Sequence, residues 1–160
     1  MKRKLVWLSV VIILMSAVML NAKIVQLKNY GEVFKALTAG ETVKMIVHYK
    51  QCQLISDNEI VKKVPDAIGG MVLNSFEYFA PMSIRNKHGY ISSSKTVLIN
   101  HPRYGFVMNY AKVRIFDNDK IRIIAQYVDP KTYKIEMDES FFTVIDNGKN
   151  KGAAKFFVNR

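Results

Sequence analysis

Side chains able to perform chemistry are few in this chain, and they are scattered. Cys52 is its single cysteine, and His48, His88 and His101 are its only histidines. Nucleophilic catalysis needs a thiol or hydroxyl beside a base that an acid orients. His48 and Cys52 come closest in sequence, yet four residues along an extended strand set same-face side chains about 13 Å apart, so they act together only if the strand bends. Ser92-Ser93-Ser94 lacks the Gly-x-Ser-x-Gly turn that lifts a nucleophile out of a sheet, and reads as a polar strand edge. Glu136, Asp138 and Glu139 form the acidic cluster of the strand-rich half. Paired carboxylates serve glycan hydrolysis, but solvation beside Lys134 explains this group without catalysis. No histidine or cysteine has a partner at a metal-like interval, and neither a phosphate-cradling glycine loop nor a dinucleotide fingerprint is present. No catalytic residue, metal or cofactor is expected.

The remaining signal is an interleaving of bases and aromatics. Arg103-Tyr104, Asn109-Tyr110, Lys112, Arg114, Arg122 and Tyr127 fall on neighbouring predicted strands. A basic sheet face carrying aromatics grips single-stranded nucleic acid or sugars by charge and stacking. Aromatics in strands are also ordinary core residues. Arg103, Tyr110, Lys112 and Arg114 are the candidate binding residues.

These groups must be positioned by sheets. Asn29 is a helix cap with Glu32 three residues on, which starts a helix over Tyr30–Ala39 that Gly40 stops. From Thr42 the period becomes two: Val43, Met45, Val47 and Tyr49 alternate with Lys44, Ile46, His48 and Lys50, as in a half-buried strand ending near Cys52. Residues 56–70, with Pro65 and then Gly69-Gly70, read as a long connection or a short helix followed by a turn. Strands are then expected over Met71–Phe79, Tyr90–Ile99, Phe106–Phe116, Ile121–Val128, Thr132–Met137, Phe141–Ile145 and Ala154–Val158. Turns at Asp117–Lys120, Asp129–Lys131 and Asp146–Lys149 separate strands, the last carrying Asn-Gly, the strongest hairpin signal of the three. The fold class is α+β, mostly β: an antiparallel meander of about seven or eight strands forming a barrel or a two-layer sandwich, with one N-terminal helix. Val72, Phe76, Tyr78, Val113, Ile115, Ile121, Ile123, Phe142 and Val144 are the expected buried face. Cys52 supplies no internal disulfide, and of a buried small apolar residue, an intermolecular bridge and a reactive thiol, burial is expected because it ends an apolar strand pattern and is followed by Gln53-Leu54-Ile55.

Residues 1–22 place the rest. Lys2-Arg3-Lys4 precede an apolar run from Leu5 to Leu20, with Ala22 at the expected cut, the pattern of an export signal. The alternative is an uncleaved anchor, although about 20 apolar residues are needed to span a bilayer. Residues 23–160 form one domain, able to bury roughly two thirds of its unfolded surface. The whole chain has 24 lysines and arginines against 13 acids, a net charge of +11. Three of the bases lie in the leader, so residues 23–160 keep about +8 and favour anionic partners.

The stretch Tyr30–Val43, with Cys52 at the end of the following strand, resembles the opening of the VirK family of exported bacterial proteins. Gly69-Gly70 before a strand, Ile91-Ser92-Ser93, and Asn109-Tyr110-Ala111-Lys112-Val113-Arg114-Ile115 running through the turn at Asp117 to Ile121 are similar to that family's order of elements. The chain has Asn109 and Lys112 where the family's strand motif is expected to carry an acid and an arginine, and keeps Arg114. The resemblance implies a small periplasmic or secreted protein from a virulence-associated group, with no catalytic residues to carry over.

Three readings follow. The first is a VirK-like exported protein, periplasmic or secreted, that binds an envelope or extracellular partner, an anionic one among the options, and is no enzyme. Nucleic acid is not expected as a partner, and a membrane only through the leader if it is uncleaved. The second is a ligand-binding β-barrel module for an anionic or hydrophobic small molecule, held at the barrel mouth by aromatics and Arg114. The third is a hydrolase with dispersed active-site residues, using Cys52 or a histidine.

Overall fold

Two antiparallel sheets face each other across an apolar core in the computed structural model, which describes residues 23–56 and 59–160; the leader lies outside the described residues. In chain order the elements are β1 (Ile24–Leu27), α1 (Tyr30–Thr38), β2 (Val43–His48), a 3-10 turn (Tyr49–Gln51), β3 (Gln53–Ser56), β4 (Glu59–Val61), β5 (Ile68–Leu73), β6 (Glu77–Phe79), β7 (Tyr90–His101), β8 (Gly105–Phe116), β9 (Lys120–Val128), β10 (Ile135–Val144) and β11 (Ala154–Asn159). One sheet has the order β1-β11-β2-β5, and the other β4-β3-β10-β9-β8-β7-β6. The meander is real: β6 to β10 are consecutive neighbours in the larger sheet. The sheets do not close into a barrel, so the sandwich alternative holds.

Local chemistry accounts for the helix. The Asn29 side chain accepts from the Glu32 amide at 2.9 Å, and Glu32 reaches back to the Lys28 amide at 2.7 Å, so free donors of the first turn are satisfied. Gly40, at φ +78°, ends it in the left-handed region. Val33, Ala36 and Leu37 enter the core, and Phe34 packs on Tyr78 with ring centroids 4.7 Å apart. The helix closes the sandwich end at which β8 turns into β9, where the Tyr30 amide donates to Asp119 Oδ1 at 2.6 Å.

Between the sheets lie Leu27, Val43, Met45, Val47, Leu73, Phe156 and Val158 from one side, and Leu54, Ile91, Val113, Ile115, Ile121, Ile123 and Phe141 from the other. Val113, Ile115, Ile121 and Ile123 are buried as the alternation predicts, and Phe76 is partly buried against the core. Val72 and Tyr78 instead face solvent, 39% and 45% exposed, while Leu73 is buried. Phe142 and Val144 are half-buried, and Phe141 and Ile145 take the interior. In Val72-Leu73 and Phe141-Phe142 apolar residues stand side by side, so a period of two does not reveal which faces inward; a one-residue phase error exchanges the faces.

Three boundaries also differ. Met71–Phe79 is two strands in different sheets, β5 and β6, because the chain changes sheet at residues 74–76. Thr132–Met137 and Phe141–Ile145 belong largely to one strand, β10, in which a register shift between Ile135 and Met137 breaks the pattern. Asp146–Lys149 does turn, with Gly148 at φ +81°, but it joins no hairpin: β11 crosses to the other sheet and lies between β1 and β2. The short strands β1, β3 and β4 add pairing that periodicity does not show, bringing the described strands to eleven.

Candidate functional site

Each expected catalytic grouping takes a structural position. The strand from Val43 ends at His48, and the 3-10 turn brings Cys52 back until its Sγ lies 3.8 Å from the His48 carbonyl, so the 13 Å extended spacing does not apply. Cys52 is buried, and burial pushes its thiol up to about 11, opposed by a Thr143 hydrogen bond. The thiolate a nucleophile requires is therefore scarce near neutrality. Ser92 and Ser93 are buried within β7, which has neighbours on both sides, so they are not a polar edge; the Ser93 hydroxyl donates to the Ser75 carbonyl at 2.6 Å. The acids are dispersed: Glu136 pairs with Lys134 at 3.0 Å, Asp138 is exposed, and Glu139 is half-buried, its carboxyl pushed up by burial. His88 bonds Asp117 at 2.9 Å, and His101 stacks on Tyr104 with centroids 4.9 Å apart. Among the described residues no metal-holding group of histidines, cysteines and acids forms.

The basic–aromatic signal does converge, on the solvent face of the larger sheet. Val113 and Ile115 point into the core, so Lys112 and Arg114 point out, with Tyr110 on the same side. Strand register then sets Arg114 opposite Ser92 on β7 and Arg122 on β9, and Arg122 opposite Phe142 on β10. Glu77-Ser92-Arg114-Arg122-Phe142-Gln53 thus forms one row across six strands, with the Glu77 carboxylate two strands from Arg114 and in no ion pair with it. The next row holds Ser94, Lys112, Ile124 and Ser140, and the one after it Thr96, Tyr110, Gln126 and Asp138.

Like charges directly opposite each other destabilise a strand pair. Arg114 and Arg122 occupy this position, and neither forms an ion pair among the described residues. Each lies on an aromatic ring: the Arg114 guanidinium 5.3 Å from the Tyr90 centroid, and that of Arg122 5.5 Å from Phe142. Arg122 Nη2 also donates to Ser140 Oγ at 3.2 Å. The Nε of both arginines is shielded from solvent and has no acceptor among the described residues. A buried donor without a partner is a cost that ordinary folding removes. Two stacked guanidiniums side by side, neither in an ion pair among the described residues, present donors of the kind that can bind a phosphate or carboxylate.

Arg103 stands apart. It sits in the turn after β7, over the Tyr104 ring at 5.3 Å, and the nine strand steps from Gly105 to Arg114 on β8 hold it about 30 Å from the arginine row. Arg122 and Phe142 complete the site. Arg122 lies in the sequence's basic–aromatic interleaving, but only the β8–β9 register pairs it with Arg114.

A family model described as VirK protein matches residues 26–133. No curated protein matches. Among solved structures, the crystal structure of lpg1832, a VirK family protein from Legionella pneumophila, is similar with a TM-score of 0.62 at 12% identity, over 83% of this chain and 98% of that one.

Proposed function

Since the chain belongs to the VirK family, whose role is uncharacterised, we propose that it is an exported binding protein that holds an anionic ligand on the arginine row of its larger sheet. The observation behind this is the Arg114–Arg122 pair, stacked on aromatic rings and in no ion pair among the described residues. An anion placed across the two guanidiniums relieves their repulsion and accepts from their Nη donors. Lys112 and Tyr110, further along the same face, extend the positive and aromatic surface. The leader at residues 1–22 supports a periplasmic or secreted location, and membership of the VirK family supports a virulence-associated role. Protein isolated from a periplasmic or culture fraction and beginning at Lys23 is the expected product; Met1 retained on cytosolic protein would refute that placement.

Binding is tested by titrating inorganic phosphate at low ionic strength and following the side-chain Nε–Hε resonances of Arg114 and Arg122. These two signals are expected to move together and before those of Arg103 or Arg160, and to return as salt is raised. Equal small shifts at all arginines would show general screening and defeat the reading.

A further inference from the structure

We propose that the ligand is a small amphipathic anion, whose charged group pairs with Arg114 and Arg122 and whose apolar body enters the cavity between Phe116 and Phe142. This rests on the anion-binding reading above and specifies what the anion is attached to. The cavity, of about 290 Å³, is lined by His88, Phe116, Asn118, Lys120, Phe142 and Thr143, with Ile121 at its wall.

Register places the cavity beside the arginines. Phe116 lies two residues beyond Arg114 on β8, and Lys120 two before Arg122 on β9, so both share the arginines' face one row along. Phe142 is opposite Arg122 itself. One row is about 7 Å, the span that a phenyl phosphate covers from the far edge of its ring to its outer phosphate oxygens. A free inorganic anion would use the guanidiniums and leave the neighbouring aromatic walls wet. A ligand with a ring or short acyl chain covers both, with Lys120 adding a third cation at the cavity rim. The volume lies near the lower bound for small-molecule sites, which limits the body to about one ring or a short chain.

Calorimetric titration of the protein with phenyl phosphate and with inorganic phosphate tests this. Phenyl phosphate is expected to bind about tenfold more tightly or better, from burial of its ring. Asn118→Trp, at an exposed turn position on the cavity wall, should fill the cavity and remove that preference, so that phenyl phosphate and inorganic phosphate bind within about twofold of each other. Phosphate binding with no preference for the phenyl compound would overturn the amphipathic assignment and leave the anion site standing. A preference that survives in the tryptophan variant would place the ring elsewhere and also overturn it. Absence of binding by both compounds would defeat the anion reading and this inference together.

Discussion

Replacing Arg114 with leucine should make the protein more stable and unable to hold its anion. Arg114 has no hydrogen-bond partner at its shielded Nε among the described residues, faces Arg122 directly, and gains from Tyr90 stacking. Removing an unpaired buried donor recovers about 1–3 kcal/mol. Relief of like charges across the strand pair adds about 0.2–1 kcal/mol. Against this stands the lost cation–π contact, about 0.5–1 kcal/mol at a partly exposed site. Leucine can keep the apolar stem of the side chain against the sheet, so the net expectation is a gain of about 1–2 kcal/mol, raising Tm by about 3–4 °C per kcal/mol in a domain of this length. The assay is denaturant unfolding of both proteins with and without phosphate. A ligand at a hundred times its Kd stabilises the native state by about 2.7 kcal/mol; the original protein should show such an increment and the leucine variant none. A variant destabilised by more than about 1 kcal/mol would mean that the guanidinium braces the fold, and the argument from its isolation would fail.

Other consequences are more local. Gly152→Ala should destabilise the protein by about 2–3 kcal/mol, because the new Cβ would stand 2.6 Å from the Asp146 amide nitrogen and 2.7 Å from the Val144 carbonyl, both backbone atoms that cannot swing aside; a shift in urea midpoint measures it. Asn29→Ala, which removes the helix cap, should cost about 1 kcal/mol in the same assay. Cys52 should resist thiol reagents in the native protein near neutral pH and react on unfolding, which rapid native labelling would contradict. Its thiol rises from 9.0 to about 11 on folding, so between those values the folded state binds more protons than the unfolded. The contribution is complete below pH 9 and is lost as pH rises through 11, so the stability profile should decline across that window.

The meander was legible because its signals are local. Asp117–Lys120 and Asp129–Lys131 each join strands that do pair, and the strands they connect are long enough for β-branched residues to dominate. The sheet changes were not, because nothing in the Asn147-Gly148 pair states whether the chain after a turn returns to its neighbour or leaves for another sheet. That choice depends on partners far away, as when Phe156 on β11 pairs with Met45 on β2 and Leu27 on β1. Of the four candidate binding residues, Tyr110, Lys112 and Arg114 share a face because spacing by two guarantees it. Arg103 seemed a neighbour by sequence and is separated by the length of β8. Arg122 joins Arg114 through register, which a strand's own composition does not encode.

That register is held firmly, which connects the fold to the site. The turn between β8 and β9 has Asp119 at φ +63°, a conformation uncommon outside glycine, so it must be stabilised by its surroundings. Asp119 accepts from the Tyr30 amide through its carboxylate and from the Ile145 amide through its carbonyl, while Asp117 accepts from the Gly89 amide and contacts His88. The helix, the end of β10 and the approach to β7 are all tied to this one turn. A slip of one residue here would send Arg122 inward and Ile121 outward. The turn therefore fixes two repelling guanidiniums opposite each other before any ligand arrives, at the stability cost that the leucine variant should recover. A binding face gains from this arrangement, since an anion then meets donors already oriented and loses little to their ordering.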